Sequence, residues 1–182
     1  MRIIGGKYRG KKLLSPKSAA VRPTADKARE ALFNILRARL GNDFSGLKFL
    51  DVFSGSGALG LEAVSQGFAA VTMIDIDLSD ANKNADLLPQ EKNKIRLIQG
   101  DACKIANKSE KFDVMFMDAP YNKGLSEKAL ANMRGWLNKG ALCLIEVEKN
   151  EECTLPEQYE LLDTRRYGLA KVIIAEFLCQ SL

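Results

Sequence analysis

The run Asp51-Val52-Phe53-Ser54-Gly55-Ser56-Gly57-Ala58-Leu59-Gly60 decides the fold. It closes an apolar stretch at 48–53 and opens a helical pattern near 58–66, with Gly55, Gly57 and Gly60 spaced as G-x-G-x-x-G. Strand, glycine turn and helix in that order are the context this motif requires. The glycines let the backbone turn tightly and approach a ligand, and the first helical N–H groups favour an anionic one. Working outward, stretches at 70–74, 95–99, 112–117 and 141–147 read as strands, and segments near 78–88 and 125–137 as helices. Near-continuous apolar strands alternating with helices predict an α/β fold with a parallel, doubly wound sheet covered on both faces. Residues 159–166 and 171–178 face each other across Tyr167-Gly168 and predict a closing antiparallel pair.

A length of 182 residues suits one domain, and 46% apolar with 27% charged residues is ordinary for a globular protein. No run of about 18 apolar residues occurs, which excludes a transmembrane helix. Charge interrupts the first residues too soon for a signal peptide, so a cytoplasmic protein is expected. Cys103, Cys143, Cys153 and Cys179 are scattered without a Cys-x-x-Cys pair and read as reduced structural thiols, with no metal site expected. Histidine is absent, which excludes a His base, a Ser-His-Asp triad and a His-ligated metal. Phe49, Met115, Met117 and Trp136 fall within apolar patterns and are assigned to the core.

The net charge of +4 is unevenly spread. Residues 1–40 hold eleven Lys/Arg against Asp26 and Glu30, a balance of +9, and the remainder carries −5. A basic arm on a mildly acidic body points to a polyanionic partner. Lys7, Arg9, Lys11 and Lys12 alternate with residues such as Tyr8 and Leu13, with glycines at 5, 6 and 10, which predicts a short β-hairpin over a bare tail. A helix follows from Arg22-Pro23-Thr24, with Thr24 as its expected N-cap, and ends at Gly41. The predicted division is a basic, RNA-contacting hairpin extension at 1–21 and a catalytic domain at 22–182.

The candidate chemistry gathers at the carboxyl ends of the strands. Asp75 stands about 20 residues beyond the first motif glycine, where a carboxylate accepts ribose hydroxyls. Asp51 lies four residues before Gly55, where it would repel a pyrophosphate and suits a cationic group such as the amino group of S-adenosylmethionine. Asp101, after the third strand, can accept the adenine amino group. Taken singly each acid reads as a helix cap; together they line one crevice at the switch point of an open sheet. The expected cofactor contacts are Asp51, Phe53, Ser54, Gly55, Ser56, Gly57, Asp75, Ile76, Asp101, Ala102 and Asp118. The fourth strand runs into Asp118-Ala119-Pro120-Tyr121, a carboxylate, a stiffened turn and an aromatic. Asp118 and a turn carbonyl can accept the two N–H bonds of an exocyclic NH2, and Tyr121 can stack on the base. Asp118, Pro120 and Tyr121 are the candidate catalytic residues.

This last stretch resembles the Asp/Asn-Pro-Pro-Tyr/Phe motif of class I amino-methyltransferases. Residues 2–13 (RIIGGKYRGKKL), 22–36 (RPTADKAREALFNIL), 51–63 (DVFSGSGALGLEA) and Arg166-Tyr167-Gly168 resemble the RsmD family of 16S ribosomal RNA guanine-N2 methyltransferases. Ala119 departs from the family, standing where the first of two prolines is usual. The resemblance implies a Rossmann-like, mostly parallel seven-stranded sheet, S-adenosylmethionine as donor, and a guanine of 16S rRNA in the small subunit or its assembly intermediate as substrate. Lys7, Arg9, Lys11, Lys12, Arg22 and Thr24 are then the candidate RNA contacts, and a monomer is expected. Competing readings are N6-adenine methylation of DNA or RNA, protein glutamine methylation, and a non-catalytic RNA-binding assembly module.

Overall fold

In the computed structural model, residues 1–15, 23–106, 110–121 and 123–178 are described. The chain runs α1 (Pro23–Leu40), β1 (Lys48–Val52), α2 (Ala58–Ser65), β2 (Ala70–Asp75), α3 (Ser79–Ala85), β3 (Ile95–Gln99), β4 (Phe112–Asp118), α4 (Leu125–Met133), β5 (Leu137–Glu148), β6 (Tyr159–Tyr167) and β7 (Ala170–Phe177). The sheet has seven strands in the order β3-β2-β1-β4-β5-β7-β6. Strands β1 to β5 pair in parallel, and β7 inserts antiparallel between β5 and β6. This is the α/β, Rossmann-like, mostly parallel seven-stranded sheet expected, closed by an antiparallel pair. Chain order reverses between β1 and β4, so their carboxyl ends open a crevice at the switch point.

Alternation along the central strands supplies a core on each face. Phe49 and Val114 look toward α1 and α2, while Leu50, Val52 and Met115 face the α4 side with Trp136. Two element ends differ from the sequence reading. The helix expected to 137 stops at Met133, a 3-10 turn covers Arg134–Trp136, and β5 starts at Leu137. Its first turn of polar residues, Asn138 to Gly140, is exposed, which hid the strand from an apolar pattern. Likewise the helix expected at 78–88 is α3 followed by a 3-10 turn over Pro89–Lys94. Among the described residues no helix is long and apolar enough to cross a membrane.

The arm is the short hairpin expected, closed by the antiparallel bridge Arg2↔Lys12 and by bonds from Ile3 N to the Lys11 carbonyl, Gly10 N to the Ile3 carbonyl and Leu13 N to the Met1 carbonyl. The ladder is too short to form a named strand. Others of its backbone donors go to α2. Ile4 N and Gly5 N donate to the buried Glu62 carboxylate at 2.7 Å each, Lys7 N to the Ser65 carbonyl, and Tyr8 N to Ser65 Oγ. The arm thus pairs with itself and is also stitched onto α2, and Ile3 and Leu13 enter the core. Gly6 makes this possible: its φ is +71°, and a Cβ there would lie 1.9 Å from the Ser65 carbonyl oxygen. Pro23 opens α1, so Thr24 lies inside the first turn instead of capping it.

Candidate functional site

The glycine loop is built from left-handed backbone: Phe53 has φ 64°, Gly55 52° and Gly57 74°. Phe53 and Ser54 both donate their N–H to the Ile74 carbonyl, which holds the loop against β2. Gly57 also permits a close approach, since a Cβ would sit 2.9 Å from the Met73 sulfur. Asp75 ties the same loop from the side, Oδ2 accepting Gly55 N at 2.8 Å and Oδ1 accepting Asp77 N at 3.1 Å. Asp51, only 2% exposed, accepts Gly60 N at 2.9 Å. Burial, with Asp75 adding to it against the Gly60 bond, pushes the Asp51 carboxyl up to about 7.

Beside this loop lies a crevice of about 330 Å³, lined by Asp51, Phe53, Ser54, Gly55, Ser56 and Asp118, together with Met1, Arg29, Phe116 and Glu146. Asp118 and Glu146 are register partners on β4 and β5. The Asp118 side chain opens to solvent, but the crevice wall crowds its carboxylate. That crowding, then Glu146 and Asp51, raises its pKa. Desolvation likewise raises Glu146, opposed by the Tyr121 hydroxyl, which donates to Glu146 Oε1 at 3.1 Å. The Tyr121 ring is 40% exposed, a flat face beside the carboxylates. Ala119 is buried, so the turn is anchored by an apolar side chain at the position of the missing proline.

The chain matches the family model described as Conserved hypothetical protein 95 over residues 1–176. Ribosomal RNA small subunit methyltransferase D of Haemophilus influenzae is 34% identical over 177 residues, covering 93% of this chain and 90% of that protein. The Escherichia coli K12 protein of the same name is 37% identical over 166 residues, covering 88% and 82%. The solved structure of yhhF from Escherichia coli superposes with a TM-score of 0.83 at 33% identity, covering 99% of each chain. The chain belongs to the RsmD family.

In this RsmD-family chain the other candidate residues fall outside the crevice lining. Gly57, Asp75, Ile76, Asp101, Ala102, Pro120 and Tyr121 are not among its lining residues. Ile76 is 71% exposed beside Asp75, an apolar platform at the β2 end. Asp101 caps its own turn, accepting Cys103 N at 2.9 Å and pairing with Lys104 at 3.2 Å. Among the arm cations, Lys7 is engaged with Glu91 at 2.7 Å, whereas Arg9, Lys11 and Lys12 are exposed. Arg22 and the Thr24 side chain lie outside the described residues. Two charged side chains of the crevice escaped the sequence reading. Glu146 sits in the apolar run of β5, where a lone acid was the available signal. Arg29 occupies a buried position of α1, on the face shared with Leu32, Phe33 and Leu36.

Proposed function

We propose that this chain transfers a methyl group from S-adenosylmethionine to the exocyclic N2 of a guanine in 16S rRNA of the small subunit. The observation that carries this reading is the meeting of Asp51, Asp118 and Glu146 beside the glycine loop, with Tyr121 and Asp75 at its edges. Carboxylates whose pKa values rise when crowded together favour a cationic ligand, because an added positive charge relieves their mutual repulsion. A sulfonium cofactor with an ammonium group has that charge, and its ribose has the diol that Asp75 can accept. Asp75, Asp51 and the loop at 54–56 would hold it. When bound it supplies a methyl carbon on sulfur, open to in-line attack by nitrogen.

The chain's own contribution is alignment. Asp118 and the carbonyl of the turn after it accept N–H bonds from the substrate amine, directing its lone pair outward from the ring plane. Attack on the methyl carbon would leave positive charge on that nitrogen until it sheds a proton to solvent. Asp118 faces that developing charge. Oriented groups of this kind account for roughly a hundredfold or more in rate, and near-attack positioning for about 7–11 kcal/mol. Tyr121, steadied by Glu146, presents its ring to the base. The arm (1–21) would contact RNA and residues 22–182 would carry the chemistry, in a cytoplasmic monomer. The small-subunit methyltransferase names of the relatives support rRNA over DNA or protein as the substrate.

The test is transfer of tritiated methyl from S-adenosylmethionine, offered unmodified small subunits, free 16S rRNA, DNA and release-factor protein, followed by nucleoside analysis. Label in N2-methylguanosine is the expected result. Label only in DNA, in protein or in another nucleoside refutes the assignment.

A further inference from the structure

We infer that Arg29 binds the carboxylate of the cofactor's amino-acid end and so selects S-adenosylmethionine over analogues lacking it. This rests on the cofactor reading above. The Arg29 side chain is only 9% exposed, yet it lines the crevice. One of its nitrogens is engaged: Nη2 donates to Asp26 Oδ1 at 2.6 Å and to the Arg2 carbonyl at 3.1 Å. Nε and Nη1 have no hydrogen-bond partner among the described residues. A buried guanidinium with undirected donors is costly to fold around unless it has another task. Its helix position is one that Leu32, Phe33 and Leu36 show to be apolar, so packing alone would select a hydrophobic residue there.

Charge fixes what it would take. Asp51, Asp118 and Glu146 line the same crevice, and Arg29 is the only basic side chain among the lining residues. The acids match the sulfonium and ammonium groups, which leaves the carboxylate as the one group of the ligand that needs a cation. A planar fork of donors fits a carboxylate in two-bond geometry. An RNA phosphate is the other anion at hand, but it would approach from the surface, and the Arg29 side chain is buried with Nη2 bound to the Arg2 carbonyl.

The experiment titrates S-adenosylmethionine and decarboxylated S-adenosylmethionine calorimetrically into wild type, R29Q and R29K. Wild type should prefer the intact compound by about tenfold to a hundredfold, the size of hydrogen bonds to a charged group. R29Q should lose that preference while binding the decarboxylated compound as wild type does, and R29K should recover part of it. A merely structural role would weaken both ligands alike and leave their ratio unchanged. A folded R29Q with the full preference overturns the inference, as does a variant that loses RNA affinity with the ratio unaltered. R29M, of similar length and apolar, replaces R29Q if that variant does not fold. A wild type without preference also overturns it. A wild type that binds neither compound overturns the cofactor reading and this inference together.

Discussion

Two clusters of carboxylates in this chain behave in opposite ways. At the seam between the arm and the body, Glu91 is only 3% exposed but receives Lys7, Lys94 and the Tyr8 hydroxyl. Those bonds, with Lys7 the largest, hold its carboxyl down to about 2. In the crevice, Asp51, Asp118 and Glu146 face one another, and burial and repulsion push them up. The same residue types are therefore used once to fasten the structure and once at its expense. A carboxyl with a depressed folded pKa stabilises above its unfolded value and loses that contribution as pH falls toward about 2. One with a raised folded pKa costs stability as pH climbs from its unfolded value toward the folded one, about 7 for Asp51 and about 8 for Asp118. Groups kept in place against stability are expected where a ligand binds.

The strongest way to break the comparison is to remove one acid from the crevice. Asp118→Ala should lower methyl transfer by about a hundredfold or more, because an oriented acceptor facing a developing charge is lost. Cofactor affinity should fall much less than turnover, since Asp51 and Glu146 remain in the crevice. The melting temperature should not fall, since the acid removed is one whose ionisation opposes folding. A variant that melts well below wild type while retaining turnover would reverse the roles assigned to the two clusters.

At the seam the sign should invert. Glu62, 1% exposed, accepts Ile4 N and Gly5 N with its two oxygens. Glu62→Gln leaves one of those amides facing an NH2 group, and a buried donor without an acceptor costs roughly 1–3 kcal/mol. Chemical denaturation should show a loss of that size. Proteolysis should cut the arm first, and the intrinsic methyl-transfer step should survive in molecules that remain folded. Unchanged stability would mean that Ile3, Leu13 and the bonds to Ser65 and Glu91 hold the arm without Glu62.

Much of the fold was legible because it follows from period and punctuation. The strands at 48–53, 70–74 and 95–99 match β1 to β3 within a residue, since each is an apolar run bounded by turn residues. The start of β5 was not legible, because Asn138 and Lys139 carry no apolar signal and their place depends on pairing beside β4. The same distinction separates the site residues. Asp51 and Asp118 announce themselves at strand ends next to Gly55 and Pro120. Glu146 becomes a crevice residue only through its register opposite Asp118, and Arg29 only through the packing of α1 over β1. The arm was read as a hairpin from its alternation, but alternation cannot show that Glu62 and Ser65 take its backbone donors. Lys7 looked equivalent to Arg9, Lys11 and Lys12 for the same reason.

Acidity offers a way to sharpen the contrast without mutation. Asp51 titrates near 7 in the free protein, and a cation beside it favours the ionised form, so binding S-adenosylmethionine should release a proton in this range. Affinity should rise with pH from about 6 to 8, by at most about tenfold per unit below the pKa, and then level off. Calorimetry in buffers of different ionisation enthalpy reads the proton count directly. Flat affinity with no proton release would place the cation away from Asp51.

The smallest expected effect concerns the arm, where the structure divides cations that the sequence grouped. Arg9, Lys11 and Lys12 are exposed, whereas Lys7 spends its charge on Glu91. Phosphate contacts position a nucleic acid and release counterions, so each one lost flattens the log–log salt dependence by close to 0.7 if the RNA is single-stranded. An Arg9/Lys11/Lys12→Ala variant should therefore bind small subunits more weakly, with a salt slope shallower by about two units if all three engage. Its cofactor affinity and its choice of guanine should stay as in wild type. Lys7→Ala should instead leave the slope nearly unchanged and lower the melting temperature, because it strips Glu91 of its principal partner. The discriminating measurement is binding to unmodified small subunits across a salt series for wild type and both variants. If Lys7→Ala flattens the slope as much as the triple variant does per charge, then its ion pair opens on RNA and the seam doubles as a binding surface. If neither variant changes the slope, RNA is held by other cations, and the arm serves only to cover α2.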